Sequence, residues 1–131
     1  MAELVLIVDD DARNAKLARD VLESAGLRTM TATTAADAIV LACAHRPDLV
    51  LMDLRLPDLD GFEAARRLAA DERTAGVKVV ALSAQPASEA SGWAAEAGFA
   101  AYIEKPIDVA LFPDQVRRHC SPGRTEGSPL S

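Results

Sequence analysis

Leu49, Val50, Leu51 and Met52 form an unbroken apolar run that ends on a carboxylate, Asp53. A strand with one wet face alternates apolar and polar side chains, so an unbroken run needs cover on both faces. Leu4–Val8 is a second such run and Val77–Leu82 a third, broken only by Lys78. Arg28–Thr33 is richer in Thr and less apolar, and Ala101–Glu104 is short. Helical stretches lie between these five strands. The first runs from about Asp11 to Ala25, with Ala18, Val21, Leu22 and Ala25 on one face. Gly26 ends it in the left-handed position that a side chain resists. Thr34 caps the second helix, with Asp37 three residues on, and Pro47 stops it after Arg46. Asp60 caps the third, with Glu63 in the reciprocal position and Phe62, Ala65, Leu68 and Ala69 on its inner face. A weaker fourth helix spans about Pro86 to Ala97 and closes at Gly98, and a fifth covers about Asp108 to His119. Apolar strands alternating with helices of this length imply an α/β fold, a parallel sheet covered on both faces. Right-handed crossovers reach both faces only if the strand order reverses, and such sheets bind ligands at that reversal, beyond the carboxyl ends of the strands.

Those carboxyl ends carry the chemistry. The first strand leads into Asp9, Asp10 and Asp11, and the third ends in Asp53. The fourth leads into Ser83 and Ala84, and the fifth into Lys105 and Pro106. If the first and third strands are neighbours, Asp9, Asp10 and Asp53 converge. Each close pair of carboxylates then repels by roughly 4 kcal/mol at about 4 Å and an effective dielectric near 20. Lys105 cancels one charge, and a hard divalent cation would cancel two more. Carboxylates, a backbone carbonyl and water suit Mg²⁺. No His or Cys belongs to the set, which excludes zinc. A cation, a lysine and a hydroxyl around a fixed carboxylate suit phosphoryl transfer to that carboxylate, and Asp53, fixed at the mouth of a central strand, is the candidate nucleophile.

Composition narrows the setting. The chain has 131 residues, half of them apolar, enough for one core and too few for two. Its net charge of −6 argues against nucleic acid or an acidic membrane surface as partner. Cys43 and Cys120 make neither a disulfide framework nor a metal cluster, and MAELVLIV has no basic region ahead of its apolar stretch, so a cytoplasmic setting is expected. Ser121–Ser131, rich in Ser, Gly and Pro, is expected to be a disordered tail behind a single domain over residues 1–120.

These residues resemble the receiver domain of bacterial two-component response regulators, on VDDD at 8–11, LMDLRLPDLDG at 51–61, LSA at 82–84 and YIEKP at 102–106. The resemblance covers about residues 3–120 and implies a flavodoxin-like three-layer sandwich: a five-stranded parallel sheet in order 2-1-3-4-5 with five helices. It implies that Asp53 takes phosphate from a phosphohistidine on a sensor kinase or phosphotransfer protein. Asp10, Asp53 and the carbonyl of Arg55 would hold Mg²⁺ directly, and Asp9 through water. Lys105 would pair with the phosphoryl group, Ser83 and the amide of Ala84 would hydrogen-bond it, and Tyr102 would turn inward as Ser83 moves. Lys105–Pro106 is expected to be a cis peptide, and Pro57 and Gly61 to shape the loop after Asp53. Such a protein is a signalling switch, not a turnover enzyme. No output domain follows the fifth helix, so a stand-alone regulator, monomer or weak dimer, is expected to act through a protein partner on the face made by the fourth helix, fifth strand and fifth helix. NAKLARDVLESAG at 14–26 looks like the cell-cycle and cell-polarity branch.

The remaining features have plainer readings. Asp11 is expected as the first helix's N-cap, and Asp58 as a loop residue. His45 and His119 lie near helix C-termini, where the dipole favours positive charge. Trp93 fits either core or an exposed contact on the switched face. Ser91-Gly92 weakens the fourth helix by about 1 kcal/mol relative to alanine. Pro113 either moves the start of the last helix to Phe112 or kinks it. Arg55 and Gln85 sit where the family tunes phosphoryl lifetime. The alternative function is a scaffold of the same fold that binds its partner whether or not Asp53 is modified. An aspartyl phosphatase is disfavoured because Arg55 stands where such enzymes place a second acid, and no GxxxxGK supports a P-loop.

Overall fold

The computed structural model describes residues 3–54, 61–83, 99–105 and 107–120. Its strands are β1 (Leu4–Val8), β2 (Arg28–Ala32), β3 (Leu49–Asp53), β4 (Lys78–Ser83) and β5 (Ala101–Glu104). Its helices are α1 (Ala12–Ser24), α2 (Ala35–His45), α3 (Gly61–Ala70) and α4 (Phe112–His119). The strands pair in parallel in the expected order β2-β1-β3-β4-β5.

The unbroken apolar runs are explained by two cores. Successive strand residues point to opposite faces. Val5, Ile7, Leu49, Leu51, Val80 and Leu82 pack with Ala18, Leu22, Phe112 and Val116 from α1 and α4. Leu6, Val8, Val50, Met52 and Ala81 pack with Ala38, Ala42, Ala65 and Leu68 from α2 and α3. Every residue of β3 is buried, Asp53 included.

Helix ends follow the sequence closely. Asp11 caps α1, its carboxylate accepting from the amides of Arg13 and Asn14, and Gly26 follows in the left-handed region at φ 94°. Thr34 caps α2 by accepting from the Asp37 amide at 3.1 Å. Arg46 closes that helix in the left-handed region, with the buried Pro47 behind it.

Two details differ from expectation. In α3 the inner face is Ala64, Ala65 and Leu68, whereas Ala69 is exposed, so the buried stripe is turned by part of a turn. Glu63 ion-pairs with Arg66 and Arg67 along the same helix, and its expected contact with Asp60 lies outside the described residues. The last helix starts at Phe112 and not at Asp108, which is the first of the two outcomes expected of Pro113; the proline lies in the first turn, where its missing N–H costs nothing. Asp108 instead forms a turn, its carboxylate accepting from the amides of Ala110 and Leu111. The expectations for the fourth helix (86–97) with Ser91, Gly92 and Trp93, for Arg55, Pro57, Asp58, Asp60, Ala84, Gln85 and Pro106, and for the tail over 121–131 lie outside the described residues, as does the Phe62 side chain.

Candidate phosphoryl-acceptor site

Parallel register brings the acids together. Val8 pairs with Met52, so Asp9 and Asp53 come next on adjacent strands. Asp10 follows Asp9, and carboxylate oxygens of Asp9, Asp10 and Asp53 all lie within 4.8 Å of one another. Asp9 is 2% and Asp53 6% exposed, while Asp10 faces solvent. The reversal of strand order falls between β1 and β3, where the sheet opens for a ligand.

Lysine is needed on the other side because of distance. β5 is two strand spacings from β3, about 10 Å. Lys105 spans that gap over the end of β4, and its Nζ lies 3.4 Å from Oδ2 of Asp9 and 3.4 Å from Oδ2 of Asp53. Its backbone is fixed by an amide that donates to the Ser83 carbonyl at 2.7 Å. Ser83 ends β4 beside Glu104, half-buried at the same rim. The Tyr102 hydroxyl donates to the Ser83 carbonyl at 3.3 Å, and its ring packs against the core on the α2–α3 side.

Among the described residues, one cation faces three acids. Burial is the main influence pushing the Asp9 carboxyl above its ordinary range. The Asp11 amide, donating to Asp9 at 2.9 Å, and the Lys105 ammonium pull the other way, and neighbouring Asp53 pushes it further up. The acids therefore share an unpaid repulsion that a divalent cation relieves. The donor set is all oxygen, one acid wet and two buried, which fits Mg²⁺ with part of its water shell retained.

Of the expected site residues, Asp9, Asp10, Asp53, Ser83, Tyr102 and Lys105 gather at this rim. Arg55, Ala84 and Pro106 lie outside the described residues. One feature was not anticipated. A cleft of about 300 Å³ reaches Asp9 and Lys105 from the α1 side, walled by Ile7, Asn14, Leu17, Ala18, Leu82 and Ile107. Leu17 is 44% exposed there. The signal available was a leucine on the outward side of an otherwise polar helix face.

Among the described residues no helix is long and apolar enough to cross a membrane. The family model for the response regulator receiver domain matches residues 5–117. The polar-differentiation response regulator DivK of Brucella ovis is 35% identical over 119 residues, covering 91% of this chain and 97% of that protein. A putative response regulator from Chloroflexus aurantiacus superposes with a TM-score of 0.85 at 28% identity, over 91% of this chain and 98% of its own. A CheY-like receiver domain from Methylobacillus flagellatus gives 0.81 at 28% identity, over 91% and 99%. With its strand order, its acid cluster and these relatives in agreement, the chain belongs to the response regulator receiver domain family.

Proposed function

We propose that this chain is a single-domain signalling switch that accepts a phosphoryl group on Asp53. The observation that carries the reading is the meeting of Asp9, Asp10 and Asp53 with Lys105 at the rim between β1 and β3. An Asp53 oxygen attacks phosphorus, the bond from phosphorus to the donor's imidazole nitrogen breaks, and the imidazole keeps that electron pair and takes up a proton. Asp10, Asp53 and the Arg55 carbonyl would hold Mg²⁺, with Asp9 acting through water; the ion supplies charge neutralisation on the phosphoryl oxygens. Lys105 exchanges its carboxylate partner for a phosphoryl oxygen, and Ser83 with the Ala84 amide donates to another. Tyr102, already bonded to the end of β4, follows that movement. The donor is a sensor histidine kinase or a histidine phosphotransfer protein, and the output is a protein partner at a surface that includes β5 and α4. Residues 1–120 form the working unit, with 121–131 outside it, and the setting is cytoplasmic.

Incubation with a small phosphodonor and Mg²⁺, read by intact mass, tests this. One hydroxylamine-sensitive phosphoryl group is expected, lost in Asp53→Asn and with chelator. Labelling that survives Asp53→Asn overturns the assignment. Equal partner affinity for wild type and Asp53→Asn would favour the phosphorylation-independent scaffold instead.

A further inference from the structure

The cleft on the α1 side has the make-up of a small-molecule site. Its volume of about 300 Å³ is at the lower end for ligand pockets, which are mostly apolar with a few convergent polar groups. Ile7 and Leu82 of the sheet, Leu17 and Ala18 of α1, and Ile107 beyond β5 supply apolar walls. Asp9 and Lys105 supply the polar end, and Asn14 is a third polar lining residue. Leu17 is the one large apolar side chain of α1 that is exposed, and it stands on this wall.

Charge selects the ligand. Asp9 belongs to a group of three carboxylates whose oxygens lie within 4.8 Å of one another. Lys105 faces two of them, at 3.4 Å from Asp9 and 3.4 Å from Asp53. The cations on the neighbouring turns of α1 have acids of their own: Arg13 lies 3.8 Å from Asp11 and Lys16 lies 2.6 Å from Asp20. Among the described residues the polar end of the cleft therefore has an excess of negative charge. Asp9, which carries that charge into the cleft, is 2% exposed, so water screens it little. A carboxylate there gains more from an added cation than one on the open surface does. An anionic head would meet the acid excess, and a neutral apolar molecule would leave it uncompensated. An organic ammonium ion joins the missing charge to a body that the apolar walls take out of water.

We propose that this cleft binds small organic cations, a protonated primary amine at Asp9 and a phenylalkyl-sized body against Leu17, Leu82 and Ile107, in competition with Mg²⁺ for the charge of the same acids. For a ligand of about ten non-hydrogen atoms the expected dissociation constant is on the order of 1 mM. Occupancy would slow phosphoryl acceptance where Mg²⁺ is limiting. That consequence rests on the acceptor reading of Asp53, whereas the binding does not.

Amide NMR shifts of the full chain, titrated with phenylpropylamine at neutral pH in Mg²⁺-free buffer, test the binding. Saturable shifts centred on Leu17, Ala18 and Ile107 are expected. Phenylpropionate, a similar body with the opposite charge, should bind about fivefold more weakly or worse. Asp9→Asn should weaken amine binding by about fivefold. Leu17→Asn changes an exposed position and leaves the core intact; it should weaken binding by about threefold. Mg²⁺ at about ten times its own dissociation constant should raise the apparent constant for the amine about threefold or more. Shifts that grow without saturating, equal affinity for amine and carboxylate, a Leu17→Asn variant that binds like wild type, or binding indifferent to Mg²⁺ overturns the proposal. No phosphodonor is present, so failure here leaves the assignment of Asp53 untouched.

Discussion

The hydroxyl of Tyr102 donates to the backbone carbonyl of Ser83 at 3.3 Å, tying β5 to the end of β4 at the rim that carries the acid cluster. The bond is neutral and partly buried, and such bonds contribute about 1 kcal/mol net. Tyr102→Phe keeps the ring against the α2–α3 core and removes only the hydroxyl. It should lower unfolding free energy by about 0.5–1.5 kcal/mol in urea titration while Asp53 labelling persists. Loss of labelling would show that the hydroxyl, not the ring, organises the acceptor.

Much of this arrangement was legible in the sequence, and the limits are instructive. Asp9 and Asp53 could be brought together because unbroken apolar runs demand a parallel sheet, and parallel register then fixes the residues just beyond each strand. Lys105 could be placed because it directly follows the fifth strand, and parallel strands bring their carboxyl ends to one side of the sheet. The inner face of α3 is turned by part of a turn from the one its apolar pattern predicts, since Ala69 and Ala64 look alike in a pattern and only packing separates them. The apolar face of α2 was visible as composition, but alanines do not declare which side is buried. At His119 the helix end alone favours positive charge, and the opposing influences are burial, Arg118 on the same helix and Lys78 on β4, of which only Arg118 is adjacent in sequence.

Removing one acid from the cluster should stabilise the metal-free protein. Asp53→Asn takes away a negative charge that raises the Asp9 carboxyl, and leaves Lys105 beside Asp9. Without metal the variant should melt a few degrees above wild type. Mg²⁺ at ten times its dissociation constant should raise wild-type stability by about 1.4 kcal/mol and the variant by much less. The wild-type gain should shrink in acid: the folded Asp9 holds a proton more readily than the unfolded one, so metal-free stability rises as pH falls through its raised pKa, and the metal must displace that proton. Thermal scans with and without Mg²⁺ at several pH values check both parts.

Lys105→Met should do the opposite. The Lys105 side chain is 22% exposed and faces two buried carboxylates. Removing it takes the Lys105 charge away from both, a change worth about 2–4 kcal/mol against folding in chelator. Mg²⁺ should return part of that loss, because the ion neutralises the same oxygens. A variant as stable as wild type in chelator would mean that solvent already screens the pair. Phosphoryl acceptance should fall even where stability is restored, since the ion does not replace the lysine's contact with the phosphoryl group.

The final prediction concerns pH. His119 ends α4, where the dipole by itself favours the imidazolium. The side chain is half-buried, and burial is the main cause that lowers its pKa, followed by the charges of Arg118 and of Lys78 on β4. The folded protein therefore binds fewer protons at this site than the unfolded chain, whose histidine titrates near 6.5. Stability from this group is complete above that value and is lost as pH falls from about 7 through the lowered folded pKa, at no more than about 1.4 kcal/mol per pH unit. His119→Gln should flatten the slope between about pH 7 and pH 5 in urea titrations. Lys78→Gln should raise the His119 pKa seen by NMR and flatten the slope partway, because it removes one of the two cations and leaves the burial in place. An unchanged slope in His119→Gln would assign the acid sensitivity to the carboxylates instead.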